Sequence, residues 1–288
     1  MKQEYIALFD EYTHSNEMSR RVFLERLIKL TGGTAAAIAI LPSLENNYVK
    51  AQTVSVNDKR LISKYVEYKG ASGKVRAYFA APAKVKKKLG AVMIIHENRG
   101  LNAHIEDVAR RAALAGFIAL APDALSSFGG TPADSDKARE MIGKLDSEKT
   151  LEDFKAAVEF LKTYKGSNGR VGCAGFCWGG RMANLLAVNS PDMKAAVAYY
   201  GSQPNSDDVK RIKGAVMLHY AGLDTRINAG IAEYEKNLKA NNIDYKLYVY
   251  DGVNHAFNND TNEARYNEAA AKLAWKRTIE FWKEKLET

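Results

Sequence analysis

Cysteine, proline and long apolar runs are all scarce in this chain. It has two Cys and six Pro in 288 residues. Two cysteines cannot build a disulfide framework. Cys173 and Cys177 also stand four residues apart, about 13 Å in extended chain against a limit of roughly 7 Å between bridged Cα atoms, so a pair within one molecule is excluded. With 46% hydrophobic residues, collagen-like and disordered classes are excluded as well. The five histidines form no Cys or His pairs at ligand spacing, which leaves a zinc site unsupported. No metal or organic cofactor is expected. The formal charge of +8 is spread among interleaved acidic residues. Its compact basic run, Lys84, Lys86, Lys87 and Lys88, sits beside Pro82 as a solvated loop would, so nucleic acid is not an expected partner.

Residues 1–51 differ from the remainder. Their six basic and six acidic residues cancel, so the net charge belongs wholly to residues 52–288. Ser19-Arg20-Arg21-Val22-Phe23-Leu24 precedes a charge-free, Ala- and Gly-rich stretch over 30–44, then Val49-Lys50-Ala51 as a possible cut. That order resembles a twin-arginine export signal. Fifteen uncharged residues broken by two Gly and one Pro are too few for a span of about 30 Å, so no stable membrane span is expected. The segment is expected to be a leader outside the fold. Export machinery would then be a partner and the location periplasmic or otherwise extracytoplasmic. The alternative is an amphipathic helix that packs on the body of a cytoplasmic protein.

Residues 54–288 read as one α/β domain with a mostly parallel central sheet flanked by helices. Val66-Glu67-Tyr68 and residues 74–80 flank Gly70-Ala71-Ser72-Gly73 as an opening hairpin. Strands are expected near 90–96, 117–122, 170–174, 195–200, 215–220 and 244–250. Helical stripes fall on Ile105, Val108, Ala112 and Ala115, on Leu151, Phe154, Val158 and Leu161, and on Trp275, Ile279, Trp282 and Leu286. Residues 124–149 read as a loop and short helix over one rim.

The chemistry concentrates at Gly175-Phe176-Cys177-Trp178-Gly179, between a strand and a helix candidate. Gly-X-nucleophile-X-Gly in that setting is a nucleophile elbow, a strained turn that tolerates only small neighbours. A thiol at a helix N-terminus gains from the positive end of the helix dipole. The backbone N–H of Trp178 would face the oxygen of a reacting acyl group. A dinucleotide fingerprint is disfavoured, because the glycine spacing is wrong and the next strand ends in Tyr-Tyr-Gly. An elbow calls for an acid and then a His after later strands, and Asp224 and His255 stand there. Asp251 is the alternative acid, His14 lies in the leader, and His219 falls within a strand. Cys177 would attack, His255 would move the proton, and Asp224 would fix the imidazole tautomer. Cys173 reads as core.

The elbow, His96-Glu97-Asn98-Arg99-Gly100-Leu101-Asn102, Ala121-Pro122-Asp123, Gly222-Leu223-Asp224 and Asn254-His255-Ala256-Phe257 together resemble the dienelactone hydrolase family, a carboxymethylenebutenolidase-like branch of the α/β-hydrolase fold. The resemblance runs from about residue 66 to the end. It implies a hydrolase for a small ester or lactone, working through a thioester acyl-enzyme. It also implies that Glu97 controls the protonation and orientation of the nucleophile, and that the Asn98 backbone N–H completes the oxyanion hole. Without the family, Glu97 is a rim carboxylate that would pair with Arg99, and Tyr200 is a residue that would line the pocket. One departure is visible: the family places a substrate-binding Arg four residues after the catalytic His, and here that residue is Asn259. Arg99, Arg139 and Arg265 are the candidate substitutes. Two rival readings are a thiol redox or peroxide-responsive protein using Cys177 and a non-catalytic ligand-binding module. Both predict that Cys177 reacts independently of Asp224 and His255.

Overall fold

A computed structural model describes residues 1–14, 18–48 and 52–287. The chain opens with three helices, α1 (Gln3–His14), α2 (Arg20–Thr31) and α3 (Thr34–Leu44). Next come β1 (Leu61–Gly70), β2 (Gly73–Pro82), β3 (Leu89–Ile95), α4 (Ala103–Leu114) and β4 (Ile118–Pro122). The rim segment holds α5 (Ser135–Gly143) and leads into α6 (Ser147–Thr163). Strand and helix then alternate through β5 (Ser167–Phe176), α7 (Trp178–Asn189), β6 (Met193–Tyr199), β7 (Ala215–Ala221), α8 (Thr225–Asn228), α9 (Ile231–Ala240), β8 (Tyr245–Tyr250) and α10 (Glu268–Leu286).

The eight strands form one sheet in the order β1-β2-β4-β3-β5-β6-β7-β8. The expected hairpin pairs β1 with β2, β2 is antiparallel to β4, and every later pairing is parallel. Alternating residues of the buried strands face opposite layers. Met93 and Ile95 join the helices α6, α7 and α9 in one apolar cluster, while Val92 and Ile94 join α4 and α10 in the other. Residues 124–149 include the start of α6 as well as a short helix. The parallel register aligns Ile95 with Gly175, Phe176 with Tyr199, and Tyr199 with His219. Residues 96, 177, 200 and 222 therefore emerge along one carboxyl edge, where α/β proteins place their sites.

The first helices stand differently from the expectation that residues 1–51 lie outside the fold. Ile6, Phe9, Tyr12, Phe23, Leu27 and Leu44 are buried in a third apolar cluster. Tyr12 stacks on Phe23 at 4.7 Å between ring centroids, and Phe9 meets Phe23 edge-on at 5.7 Å. The reason is local: this charge-balanced stretch carries enough aromatic and branched side chains, at helical spacing, to close a small core of its own. Gly32 ends α2 with φ +82°, and α2 and α3 meet at a 116° bend. Among the described residues no single helix is long and apolar enough to cross a membrane. The possible cut at Val49-Lys50-Ala51 lies outside the described residues.

Candidate active site

The elbow sits between β5 and α7. Cys177 has φ +55° and ψ −112°, a conformation a side chain adopts only under surrounding constraint. Its N–H donates to the Tyr199 carbonyl at 3.0 Å, and its carbonyl accepts from Arg181 N–H at 3.1 Å. The flanking glycines are required by close approach. A Cβ on Gly175 would lie 1.8 Å from the Gly179 carbonyl oxygen, and one on Gly179 would lie 2.4 Å from that of Ile95. Trp178 opens α7, and its indole stacks at 5.2 Å on His96. His96 is fully buried, with Nδ1 on the Glu97 carbonyl and Nε2 accepting from Ala124 N–H, so it braces the loop and does not face the nucleophile.

His255 and Asp224 meet as expected: His255 Nδ1 is hydrogen-bonded to Asp224 Oδ2. Asp224 also caps α8, accepting from Ile227 N–H at 3.2 Å. Asp251, the alternative acid, is exposed. Burial opposes charge on His255, yet the charge Cys177 acquires and the Asp224 carboxylate raise its pKa to about 10. Burial raises Asp224, but the hydrogen bond and charge of His255 outweigh this and hold its carboxyl below the usual range. Cys173 lies fully buried on β5, and burial pushes its thiol up to about 12. Of the two sulfurs, Cys177 is the one at the site.

Glu97 is buried, and its partners differ from the expected Arg99. Asn259 Nδ2 donates to Glu97 Oε2 at 2.6 Å, and Tyr200 Oη donates to Oε1 at 3.3 Å. Arg99 pairs instead with Asp136 at 2.7 Å, across the rim. Asn259, the residue that departs from the family pattern, thus holds the carboxylate on the wall of a cavity that Cys177 also lines. Tyr200, with φ +38°, packs against His255 at 4.9 Å between rings.

Sequence reasoning sets His14 aside with the leader, and the structure brings it to Cys177. Its Nε2 lies 3.3 Å from Cys177 Sγ, and its ring meets His255 edge-on at 4.5 Å. His14 Nδ1 is 2.8 Å from the Asp10 carbonyl. A carbonyl only accepts, so Nδ1 carries the proton and Nε2 presents a lone pair to the thiol. Burial and the nearby His255 drive the His14 pKa well below its ordinary value, leaving the ring neutral at pH 7. Helix α1 is held there by Asn98 Nδ2 donating to the Thr13 carbonyl at 2.8 Å, Arg139 donating to the Tyr12 carbonyl at 2.7 Å, and an Arg265–Asp10 ion pair at 2.8 Å. No sequence spacing links position 14 to position 177. Only the folded helix does.

Two cavities meet at Cys177 and His255, with His14 on the wall of both. One of about 340 Å³ is bounded by Phe9, Tyr12, Glu97, Arg99 and Arg265. The other, about 260 Å³, is bounded by Arg139, Trp178, Arg181, Tyr200 and Arg226.

A parallel sheet with a strained nucleophile turn and an Asp–His pair after later strands defines an α/β-hydrolase. Residues 75–286 match the model of the dienelactone hydrolase family, and the chain belongs to that family and is a hydrolase. A Methylorubrum extorquens protein named "Putative carboxymethylenebutenolidase" is 31% identical over 283 residues, spanning 93% of each chain. The "Protein usf" of Aquifex pyrophilus is 35% identical over 231 residues, 77% of this chain and 98% of that one. Among solved structures, a Klebsiella pneumoniae chain titled "Putative Dienelactone Hydrolase" superposes with a TM-score of 0.70 at 26% identity, covering 77% of this chain and 98% of its own.

Proposed function

We propose that this hydrolase cleaves a small ester or lactone through a thioester acyl-enzyme on Cys177. The observation that carries the reading is the Asp224–His255 hydrogen bond beside a strained Cys177 at the mouth of two cavities. Asp224 holds His255 at Nδ1, and the raised pKa of His255 puts the thiol proton on Nε2, so that Cys177 attacks the acyl carbon as a thiolate beside an imidazolium. The tetrahedral oxyanion is received by the backbone N–H groups of Trp178 and Asn98. His255 then protonates the departing alkoxide and afterwards draws a proton from the water that cleaves the thioester. Glu97, anchored by Asn259 and Tyr200, supplies negative charge beside the nucleophile and so positions it.

The arginines divide the substrate preference between the cavities. In the larger one, Arg99 and Arg265 are already paired with Asp136 and Asp10. The smaller one is bounded by Arg139, which is engaged by the Tyr12 carbonyl and ring, and by Arg181 and Arg226, and among the described residues no carboxylate side chain lines it. An ester carrying a carboxylate fits that side, with the anionic group toward these guanidiniums.

Incubation with an activated aryl ester, followed by intact mass, tests the reading. An acyl adduct on Cys177 that vanishes in Cys177→Ala is expected. Hydrolysis by Cys177→Ala and His255→Ala at the parent rate would sink it.

The export address is a separate proposal. Ser19 caps α2 and Arg20-Arg21 open it, so the Arg pair begins the segment that export machinery would read, and the protein would act outside the cytoplasm. N-terminal sequencing of protein from native cells checks this. A chain beginning at Met1 and confined to the cytoplasm removes it.

A further inference from the structure

We propose that His14, Cys177 and His255 form a binding site for a thiophilic divalent metal ion such as Zn²⁺. The donor atoms of the three side chains lie within 4.8 Å of one another. The contact between His14 Nε2 and Cys177 Sγ, at 3.3 Å, is close to the edge of a zinc tetrahedron, about 3.5 Å for Zn–N near 2.0 Å and Zn–S near 2.3 Å. With every donor pair inside 4.8 Å, seating an ion requires a closure of at most about 1.5 Å at any edge.

Three independent features suit these atoms to a metal. Each imidazole has its Nδ1 proton committed, His14 to the Asp10 carbonyl and His255 to the Asp224 carboxylate. His14 therefore offers an Nε2 lone pair, and His255 offers one when the proton it shares with Cys177 leaves on metal binding, both in fixed orientations, the outer arrangement typical of metal-bound histidines. His255 Nε2 is buried with no hydrogen-bond partner among the described residues, in a side chain that is 3% exposed. A buried ring nitrogen without a partner calls for one, and an ion supplies it once the proton has left. Finally, the two cavities meet at this cluster, so a fourth coordination position stays open to water or a small ligand.

Two histidines and a thiolate favour Zn²⁺ and related ions over Mg²⁺ or Ca²⁺, which take oxygen ligands. Binding releases the thiol proton, so affinity rises with pH until the free ion hydrolyses. The ion would occupy both sulfur and His255 Nε2, which makes metal binding and acylation of Cys177 mutually exclusive. The inference rests on the donor geometry and stands whether or not Cys177 is the hydrolytic nucleophile. Helix α1 must be docked for the site to exist, because His14 is its last residue.

The test uses the full chain, stripped with a chelator and without substrate. Equilibrium dialysis against Zn²⁺ alone should give one ion per chain. Co²⁺ alone should give a sulfur-to-cobalt charge-transfer band and the intense visible bands of a four-coordinate ion. His14→Ala and Cys177→Ala should each weaken Zn²⁺ binding by at least about a hundred-fold, beyond the roughly 10–100-fold lost when an outer-shell partner is removed. Because His14→Ala could also undock α1, His14→Cys serves as the second variant: it restores a donor and should recover stoichiometric binding. Bound Zn²⁺ should also protect Cys177 from alkylation. The proposal is overturned by substoichiometric binding, by a six-coordinate cobalt spectrum without sulfur charge transfer, or by unchanged affinity in both alanine variants. Acylation by an aryl ester in the stripped protein reads the hydrolase proposal separately.

Discussion

The body of the molecule and its first three helices are held by different forces. In the body, both faces of the sheet are sealed by apolar side chains from α4 and α10 on one side and α6, α7 and α9 on the other. The cluster of α1–α3 is small; among the described residues the body packs Ala264 against it and lays the Arg139 and Arg265 guanidiniums over its Tyr12 and Phe9 rings. Its attachments to the body are mostly polar. They include Asp10–Arg265, Arg20–Asp136, Asn98 to the Thr13 carbonyl and Ala264 N–H to the Ser43 carbonyl. Apolar burial is cooperative and gives about 25 cal/mol per Å², whereas partly exposed ion pairs contribute little. The body should therefore be the stable unit and the helical cap the part that can leave. Chemistry is shared unevenly too: the body supplies Cys177, Asp224 and His255, and the cap supplies His14.

The sharpest way to probe this division is at Cys177, the proposed nucleophile. Cys177→Ala should lower kcat/KM by at least about a thousand-fold, the scale for losing a nucleophile or its base, while leaving the cap docked by protease protection. Next in size, Phe154→Ala in the body, where the ring is fully buried, should cost about 3–5 kcal/mol of global stability by denaturant titration. Phe23→Ala in the cap, where the ring is also fully buried, should instead open α1–α3 to hydrogen exchange with the body transition unmoved. An equal fall of the body midpoint in both variants would mean one cooperative unit and break the comparison.

The dependence on pH probes the same division from the sulfur outward. His255 is raised to about 10 from an ordinary 6.5, in part by the charge Cys177 acquires. A raised pKa contributes stability that is fully present below about 6.5 and is lost as pH climbs through about 10. In Cys177→Ala the His255 resonance should titrate at a markedly lower pH by NMR, and the alkaline loss of stability should shrink. A titration unchanged by the variant would detach His255 from the sulfur. The smallest effect is at Arg20, which bridges Glu45 and Asp136 while partly exposed. Arg20→Ala should cost less than about 1 kcal/mol and be masked by salt.

Much of this division is readable from the sequence, for reasons that differ by region. Alternating strand and helix patterns mark the body because each element buries one face against a neighbour in chain order. The elbow is readable because its glycines answer a steric demand within five residues. Glu97 is legible as a rim carboxylate, but its partner is not: Asn259 stands 162 positions away, and a nearer cation, Arg99, is the simpler match. In the cap, the export-like order of residues is the louder signal, and it masks the aromatic stripe of Phe9, Tyr12 and Phe23. His14 is illegible altogether, since its place depends on where a whole helix docks.

That docking has a consequence for the order of events during synthesis. His14 leaves the ribosome 163 residues before Cys177, and Asp10 leaves 255 residues before Arg265. Contacts at such separation form late and carry the largest loop-closure entropy. The helices α1–α3 can gather around their own rings early, but Arg265 and Ala264, which anchor them, are made long afterwards. Until residues 264 and 265 are made, the Cys177 thiol of the nascent chain is uncovered or not yet made, and the cap closes only when they arrive. Closure over the sulfur is therefore a late step, in which helix α1 meets residues made long after it.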